Sequence, residues 1–291
     1  MSPHRPNPTA QADASAALSV SIVIPAYNEE SVIRQCLIAA IYQSVPAGEI
    51  IVVDNKSTDR TVQIVRQMQT EYPDTPIKLL SQHTEQGLIP TRNYGLNHAN
   101  GQILGRIDAD SVMEPDWVEQ VQKAFADDNV QAATGPVVYY DMPMRRFGLK
   151  ADDRMRQLML RLAKHQYHFL FGSNMALRKS AWEQICDEAC RDEKDEMHED
   201  IDLSLHLAEH QLKVQYWPQM VSGMSARRLE DSPKDYRYYV HRFDRTYKAH
   251  NVTKMALKAP MVVFFSVYFP AKLLRAIHTA NTGQPTRRGG I

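Results

Sequence analysis

Short apolar runs alternate with amphipathic stretches through the first half of the chain. The runs at 20–25, 50–53, 77–80 and 103–107 are bounded by polar or turn-forming residues, which indicates buried strands. Apolar residues recur at helical spacing between them and after them, and a longer apolar stretch follows, so we predict helices over 32–40, 61–69, 88–100 and 116–126 and a strand over 130–140. Asn28 and Thr58 are the predicted N-caps of the first two helices. This alternation predicts βαβ units, a mostly parallel sheet and an α/β fold.

The second half of the chain changes in pattern. A long helix is predicted, which could be an insertion over a site at the sheet edge, and an extended run broken at Gly172 follows it. The remaining predicted elements are helices and short strands, at 144–166, 168–177 (the extended run), 178–190, 201–210, 212–216, 220–224 and 235–250. Between them, residues 191–200 form a charged cluster, which is typical of a solvated loop.

Residues 259–271 form an apolar run of 13 residues that contains Pro260 and Pro270. A membrane-spanning helix needs about 20 such residues, so the run favours a core helix or an interfacial helix. Basic residues beside it would suit an anionic membrane surface, and they are Lys254, Arg275, Arg287 and Arg288.

Composition excludes some classes of protein. The 291 residues carry 34 Lys plus Arg and 34 Asp plus Glu, and this formal net charge of zero argues against nucleic acid as a partner. Cys36, Cys186 and Cys190 form an odd, low count without a zinc-binding pattern, which favours a reducing compartment. Residues 1–18 lack the apolar core of a secretory signal and are predicted to be a disordered tail. We therefore expect a cytoplasmic protein, with peripheral contact at the inner face of the membrane through 255–291 as an extension of that prediction.

Asp108 and Asp110 end the fourth apolar run. In an extended chain, residues i and i+2 share a side, so both carboxylates would face one point beyond the strand, where open α/β sheets bind ligands. Two oxygen ligands at one point suit Mg²⁺ or Mn²⁺ with substrate phosphates completing the coordination. The alternative is a polar turn in which an aspartate caps a helix.

Other polar residues follow the predicted strands at the same edge. Asp54 could accept a hydrogen bond from a base N–H, and Tyr27 could stack on a base or a ribose. Asp200 could act as a general base toward an incoming hydroxyl, although Asp200 or Glu199 could equally be an N-cap. Metal, diphosphate and base together suit displacement of a nucleoside diphosphate from a sugar.

Six segments, in this order, resemble the family 2 inverting glycosyltransferases, which have a GT-A fold. Each segment alone is a weak signal, but jointly they are specific, and they extend over roughly 19–216. They are Val23-Ile-Pro-Ala-Tyr-Asn-Glu29, Ile51-Val-Val-Asp-Asn-Lys-Ser-Thr-Asp59, Gly87 with Thr91-Arg-Asn-Tyr-Gly95, Ile107-Asp-Ala-Asp-Ser111, Phe171-Gly-Ser-Asn-Met-Ala-Leu-Arg178 and Glu199-Asp-Ile-Asp-Leu203.

The resemblance implies a role for each matching residue. The residues that would bind the nucleotide are Pro25, Tyr27, Glu29, Asp54, Arg92 and Asp108. Asp110 is the main ligand of Mn²⁺ or Mg²⁺, assisted by Asp108. Gly172, Ser173, Asn174 and Glu199 line the pocket for donor sugar and acceptor, and Asp200 is the catalytic base. The GT-A domain would cover 19–226, with a nucleotide-binding half at 19–140 and an acceptor-side half at 141–226, followed by a helical extension at 227–291.

The implied reaction is metal-dependent, inverting transfer of one sugar from a nucleoside-diphosphate sugar, with UDP favoured, to a hydroxyl of a glycan or lipid-linked acceptor. Surface polysaccharide or glycolipid synthesis would use such a step. Two departures from the family pattern matter: Asn55 stands where a second acid is common, and the Gln-x-x-Arg-Trp motif of processive synthases is absent, with Arg227-Arg228 in that region. The missing motif and the expected lack of spanning helices favour transfer of a single sugar.

Three other functions compete with this interpretation. A nucleotidyltransferase would carry a Gly-rich loop after the first strand, where Pro25-Ala-Tyr-Asn-Glu29 has no glycine. A dinucleotide-dependent oxidoreductase would carry Gly-x-Gly, which does not occur in the chain. A non-catalytic relative that binds nucleotide sugar or glycan is the third, and the presence of Asp108, Asp110 and Asp200 argues against it.

Overall fold

The computed structural model describes residues 17–162, 168–189, 191–192, 196–253 and 259–282. The strands in these ranges are β1 Val20–Ala26, β2 Glu49–Asp54, β3 Ile77–Ser81, β4 Ile103–Arg106, β5 Val112–Met113, β6 Val130–Thr134, β7 Val137–Tyr139, β8 Met175–Arg178, β9 Lys213–Tyr216 and β10 Ser222–Met224. The helices are α1 Ile33–Ile41, α2 Thr61–Glu71, α3 Leu88–His98, α4 Trp117–Ala124, α5 Arg145–Leu162, α6 Lys179–Ile185, α7 Glu199–Glu209, a 3₁₀ helix Arg227–Glu230, α8 Pro233–Ala249 and α9 Ala259–Thr282.

Seven of the described strands form the central sheet, in the order β3-β2-β1-β4-β8-β6-β9. The pairs β3–β2, β2–β1, β1–β4 and β6–β9 are parallel, and only β8 runs antiparallel to its neighbours β4 and β6. The predicted α/β fold with a mostly parallel sheet is therefore confirmed. Because β1, β2 and β4 are parallel neighbours, their carboxyl ends meet at one edge of the sheet.

Helices cover both faces of the sheet. Along β1, Ile22 and Ile24 pack toward α1, α2 and α4, whereas Val23 packs toward the other face, which α3, α6 and α7 cover. Alternate side chains of β2 divide in the same way, with Ile50 and Val52 on the first face. A strand with both faces buried is apolar at most positions, which explains why these segments are nearly continuous apolar runs; the buried polar exceptions Ser21 and Glu49 hydrogen-bond to each other.

The predicted strand over 130–140 is wrong as one element. It is divided into β6 and β7, which belong to different sheets. Gly135 and Pro136 lie at the break: a Cβ at Gly135 would stand 1.9 Å from the Met220 carbonyl oxygen, and proline has no N–H for a ladder bond. β7 joins β10 and β5 in a three-stranded sheet, in the order β5-β10-β7.

Several predicted boundaries also require correction. The extended run over 168–177 forms a strand only from Met175, after a turn at 172–173. The helix predicted over 178–190 ends at Ile185, and Cys190 lies outside the described residues. α5 ends at Leu162, and residues 163–166 of its prediction lie outside the described residues, as do residues 1–16 of the predicted tail.

The C-terminal helix is longer than its apolar run. α9 continues through Pro270 to Thr282. Within the described residues, its segment Met261–Asn281 is long and apolar enough to cross a membrane, with a mean hydropathy of 1.3, and 17% of its most apolar window is buried. The prediction that this segment is too short to span a membrane is therefore wrong on length and composition, and the core-helix alternative is wrong because most of this helix is exposed. One face packs on α8, where Tyr268 lies against Tyr236, and the opposite face carries the exposed side chains Val262, Phe269, Leu273 and Ile277.

Candidate functional site

The carboxyl ends of β1, β2 and β4 form the floor of the candidate site. Ala26 at the end of β1 lies opposite Asp54 at the end of β2. On the other side of β1, the Ile107 N–H donates to the Val23 carbonyl at 3.1 Å, so Asp108 follows directly where β4 ends. The predicted gathering of Tyr27, Asp54 and Asp108 at one edge is therefore what the topology produces.

Asn28 joins the first two loops at this edge. Its Oδ1 accepts from the Thr58 N–H at 2.8 Å, and its own N–H donates to Ser57 Oγ at 3.0 Å. Asn28 adopts a φ of 54°, in the left-handed region that asparagine tolerates. The predictions of Asn28 and Thr58 as N-caps are wrong, because α1 begins at Ile33 and α2 at Thr61.

Asp54 and Tyr27 present two different surfaces beside this cross-link. Asp54 is 4% exposed, and among the described residues its Oδ1 has no hydrogen-bond partner. Tyr27 is 45% exposed, so its ring is open to solvent. Pro25 is buried within β1. A buried acceptor without a donor is costly, which makes Asp54 Oδ1 a position where a ligand N–H would be stabilising.

Asn55 anchors the segment that leads to Arg92. Its side-chain amide donates to the Gln82 and Glu85 carbonyls at 2.9 and 2.8 Å, and its Oδ1 accepts from the Gly87 N–H at 2.8 Å. A carboxylate cannot donate, so an aspartate here would lose the first two bonds. Asn55, which departs from the family pattern, therefore holds the loop before α3 in place through these three hydrogen bonds.

Arg92 and Arg106 form a buried ion-pair network with Asp108 and Glu199. Arg92 donates to both Asp108 Oδ1 and Glu199 Oε1, while Arg106 Nη2 lies 2.6 Å from Glu199 Oε1. The side chains of Arg92, Arg106 and Glu199 are 7%, 1% and 9% exposed. Two arginines and two acids balance in charge, and each buried charge has an opposite charge as its neighbour.

This network keeps Arg92 and Asp108 ionised. Burial opposes ionisation of Asp108, but Arg92 and Arg106 outweigh it and hold the pKa of Asp108 below its ordinary value. Burial likewise works against the Arg92 cation, and Asp108 and Glu199 raise the pKa of Arg92 above its ordinary value. The site therefore contains a permanently charged cation beside the first aspartate of the pair.

Asp110 pairs with a different arginine from Asp108. The chain turns at 109–110, and the Ser111 N–H donates to the Asp108 carbonyl at 2.9 Å, so the extended geometry assumed for the pair is wrong. Asp110 Oδ2 lies 2.9 Å from Arg227 Nε. Arg227 Nη2 is also 3.0 Å from Glu29 Oε1. One guanidinium thus stands between two acids that belong to different loops.

The environment of Asp110 favours a bound cation. Burial raises the pKa of Asp110 to about 6, Arg227 opposes this, and the charges of Asp108 and Glu29 add to it. Carboxylates that raise one another's pKa are stabilised by any cation placed among them. Arg227 supplies that charge, and Asp110 and Glu29 are oxygen ligands of the kind that Mg²⁺ and Mn²⁺ prefer. The residues present therefore fit a divalent metal at the position of the Arg227 guanidinium.

Asp200 lies in the first turn of α7 and is held by backbone N–H groups. Its Oδ2 accepts from the Gly172 N–H at 2.9 Å, and its Oδ1 accepts from the Ile201 N–H at 2.9 Å. Arg106 Nε donates to the Gly172 carbonyl at 3.0 Å. A Cβ at Gly172 would meet Arg106 Nη2 at 2.2 Å, so only glycine fits between the arginine and the aspartate.

Asn174 lies beneath Gly172 and Ser173, and it is fully buried. Its amide donates to the Pro136 and Met220 carbonyls at 2.9 and 2.7 Å, and its Oδ1 accepts from Trp117 Nε1 at 2.8 Å. These hydrogen bonds pair the polar atoms of the Asn174 side chain with other groups of the protein. Asn174 therefore supports the turn from below, and Glu199 faces the arginines, so a direct contact of either residue with a sugar stays a prediction.

The sequence pattern does not identify two residues of the candidate site, Arg106 and Arg227. Arg106 lies in the apolar run of β4, where alternation alone assigns it to the core, and Arg227 stands out in the sequence only as a mismatch to a motif. β10 pairs antiparallel with β5, Ser222 opposite Met113, and this pairing brings Arg227 beside Asp110. The charged residue inside a buried strand was the available signal for Arg106.

The sequence model of the family described as "Glycosyl transferase family 2" matches residues 21–186, more than half of the chain. The chain belongs to glycosyl transferase family 2. The matched range contains the predicted segments from Val23 to Arg178, and it ends before Asp200.

The similar curated proteins include two named as glycosyltransferases and one named as a chondroitin synthase. Glycosyltransferase AglE of Haloferax volcanii is 34% identical over 122 residues, which are 41% of this chain and 40% of that protein. Chondroitin synthase of Pasteurella multocida is 32% identical over 39% of this chain and 11% of that protein. Glycosyltransferase GlyA of Streptococcus pneumoniae is 32% identical over 40% of this chain and 16% of that protein. The matches thus span less than half the length of each of these three relatives.

Solved structures share the GT-A fold with this chain. The mannosyltransferase PcManGT from Pyrobaculum calidifontis, in complex with GDP-Man and Mn²⁺, is 21% identical with a TM-score of 0.63, over 95% of this chain and 77% of that one. Glucosyl-3-phosphoglycerate synthase from Mycobacterium tuberculosis, in complex with Mn²⁺, UDP and glucosyl-3-phosphoglycerate, is 16% identical with a TM-score of 0.55, over 82% of each chain. At these identities the likeness shows the fold.

Proposed function

We propose that this chain is a metal-dependent, inverting glycosyltransferase that moves one sugar from a nucleoside-diphosphate sugar, with UDP as the favoured carrier, to a hydroxyl acceptor. The observation that carries the proposal is the arrangement at the sheet edge. Asp110 and Glu29 converge on a cation position, and Asp200 is held by the Gly172 N–H, while the Gly172 carbonyl accepts from Arg106. Family membership and the Mn²⁺ complexes of the structural neighbours support it.

The nucleoside would lie over β1 and β2. The unpaired Asp54 Oδ1 can accept from the base N–H, and the exposed Tyr27 ring can stack on the base or the ribose. Uracil, guanine and thymine each carry a ring N–H, so Asp54 alone does not select among them. The family-based assignments of Pro25 and Glu29 belong to the same pocket.

Mn²⁺ or Mg²⁺ would be held by Asp110, with Asp108 and Glu29 near it. When bound, such an ion neutralises the diphosphate leaving group. Arg227 would then leave the two acids and become available to the diphosphate oxygens, since guanidinium groups bind phosphates well. Arg92 keeps Asp108 ionised at the same place.

Asp200 would take the proton from the acceptor hydroxyl. The acceptor oxygen then bonds to the anomeric carbon while the bond from that carbon to the diphosphate oxygen breaks, with its electrons going to the nucleoside diphosphate. Attack from the face opposite the leaving group inverts the anomeric configuration. The Gly172 N–H fixes one Asp200 oxygen, which orients the carboxylate for this proton transfer.

The test compares Asp200→Asn, Asp110→Asn and an exposed acid, Asp128→Asn, as the matched control. Calorimetry with UDP, GDP and dTDP, each with and without Mn²⁺, measures nucleotide binding. Hydrolysis and transfer assays with the corresponding nucleotide sugars measure turnover. We expect Asp200→Asn to keep binding and to lose transfer about 10²–10⁴-fold, the usual contribution of a general base.

Asp110→Asn should lose the Mn²⁺-dependent part of nucleotide binding, and Asp128→Asn should change neither quantity. Normal transfer by Asp200→Asn would remove that residue as the base. Mn²⁺-dependent binding without turnover on a broad set of hydroxyl acceptors would instead favour a non-catalytic nucleotide-sugar binding protein.

We further propose that α9 contacts an anionic membrane surface, where a lipid-linked glycan acceptor would be found. Its exposed face carries Phe269 and Leu273, each 64% exposed, and the sequence places basic residues on both sides of the helix, at 254 and 258 and at 287 and 288. Co-sedimentation with anionic and neutral vesicles tests this contact. The double variant Phe269→Ser, Leu273→Ser should bind anionic vesicles several-fold less than wild type does. Equal recovery of wild type and the double variant with these vesicles would refute the proposed membrane contact.

A further inference from the structure

Two histidines and one aspartate meet where α7 packs against the end of α8. Asp202 and His206 lie one turn apart on α7, and His250 follows the last residue of α8. One ligand atom from each lies within 4.8 Å of the others. Asp202 Oδ1 is 2.7 Å from His250 Nε2 and 3.8 Å from His206 Nε2. In a tetrahedral zinc site with bonds of about 2.0–2.1 Å, ligand atoms are separated by roughly 3.3 Å.

Glu209 lies behind both imidazole rings. Its Oε2 is 3.0 Å from His206 Nδ1, and its Oε1 is 3.3 Å from His250 Nδ1. An ionised carboxylate only accepts, so the hydrogen bond with Glu209 favours a proton on His250 Nδ1, which leaves His250 Nε2 free to present a lone pair toward Asp202. His206 Nδ1 lies close to Glu209 but makes no hydrogen bond with any of the described residues. A carboxylate behind the far nitrogen is the usual support for a metal-binding histidine, because it fixes the tautomer and the ring orientation.

Three electron-rich atoms facing one another repel unless a cation lies among them. A proton on His250 Nε2 accounts for its 2.7 Å contact with Asp202. The same proton does nothing for His206 Nε2, which at 3.8 Å from Asp202 Oδ1 is beyond hydrogen-bond length. A divalent ion would engage both imidazoles and the carboxylate together.

The surroundings suit a small, protected ion site. The side chains of Asp202, His250 and His206 are 7%, 8% and 16% exposed. Glu209 is 53% exposed, which leaves a route from solvent on its side. Two imidazoles and one carboxylate form a donor set typical of zinc, with a water as the fourth ligand.

We propose that Asp202, His206 and His250 form a Zn²⁺ site, with Glu209 orienting the two imidazoles. The ion would tie the middle of α7 to the end of α8, and α7 begins with Glu199 and Asp200 at the sheet edge. The role is structural, and it is independent of the proposed transfer reaction. Loss of that reaction would leave the zinc site untouched.

The experiment measures zinc binding by the full chain after removal of metals with a chelator. Zn²⁺ is titrated in competition with a chromogenic chelator, and Co²⁺ is used as a visible probe, because four-coordinate Co²⁺ absorbs far more strongly than six-coordinate Co²⁺. The variants are His206→Ala, His250→Ala and Glu209→Gln. The matched control is His210→Ala, whose ring lies on the same helix end but pairs with Glu188 at 2.9 Å. Asp110→Asn tests whether the ion that is measured binds at this site or at the sheet edge.

We expect one tightly bound Zn²⁺ per chain in wild type, His210→Ala and Asp110→Asn. Affinity should fall at least 100-fold in His206→Ala and His250→Ala, and about 10–100-fold in Glu209→Gln, the usual effect of losing such a support. If an alanine variant does not fold, the Co²⁺ spectrum of wild type still tests the proposal, because it shows whether the bound ion is four-coordinate. Failure of wild type to take Zn²⁺ from the chelator, or unchanged affinity in folded His206→Ala and His250→Ala, would overturn the proposal.

Discussion

Removing the charge of Glu199 should destabilise the whole domain, because its carboxylate balances two buried arginines. In Glu199→Gln the shape is retained, but Arg106 loses its acidic partner and Arg92 keeps only Asp108. Breaking a buried ion pair by removing one partner costs about 3–5 kcal/mol. The glutamine oxygen still accepts one hydrogen bond, so we expect the lower value, ~3 kcal/mol.

Thermal unfolding of the metal-free and ligand-free protein measures this effect. At about 2–4 °C per kcal/mol for a chain of this size, the expected fall in Tm is roughly 6–12 °C. The matched control is Glu119→Gln, which removes an exposed acid paired with Lys123 and should change Tm far less. If the Tm values of Glu199→Gln and Glu119→Gln agree within error, the network does not hold the charges as described.

Three further predictions concern single positions. Gly172→Ala should lower kcat of the proposed transfer with little change in nucleotide affinity, because the new Cβ meets Arg106, which is buried and cannot move aside; equal kcat in wild type and variant would contradict this. Burial and the nearby Arg242 lower the pKa of His198 from 6.5 to about 3, so the unfolded chain binds the extra proton below pH 6.5, and the contribution of His198 to the free energy of unfolding should fall by about 1–2 kcal/mol between pH 6.5 and pH 5, against the opposite contribution of Asp110. His198→Phe should flatten that part of the stability curve in urea titrations, and an unchanged slope would show that another group causes it. Arg227→Met should tighten Mn²⁺ binding in the absence of nucleotide several-fold by calorimetry, since it removes the cation that competes for Asp110 and Glu29; weaker binding would mean that Arg227 orders the site instead.

Much of the sheet could be predicted from local pattern. Nearly continuous apolar runs, which are typical of strands with both faces buried, identify the segments Val20–Ala26 and Glu49–Asp54 as strands without any tertiary information. Parallel βαβ connection then requires that the residues following each strand gather at one edge, which is why Tyr27, Asp54 and Asp108 could be assigned together.

Long-range pairing decided what these residues contact. Arg92 and Glu199 are 107 positions apart, and Arg227 and Glu29 are 198 positions apart, so no local pattern links either pair. The turn at 109–110 ends the extended geometry, and Asp108 pairs with Arg92 whereas Asp110 pairs with Arg227.

The contrast between local pattern and long-range contacts also explains the other predictions that were wrong. Residues 130–140 are divided between two sheets at Gly135 and Pro136, where Gly135 lies close to Met220 and proline has no N–H for the ladder. The His206 and His250 rings meet because α7 packs against α8. Sequence determined which segments bury both faces and which acids follow them, because those properties depend on the spacing of neighbours along the chain. Tertiary structure alone decided which charges meet, because ion pairs and ligand sets depend on distances in space.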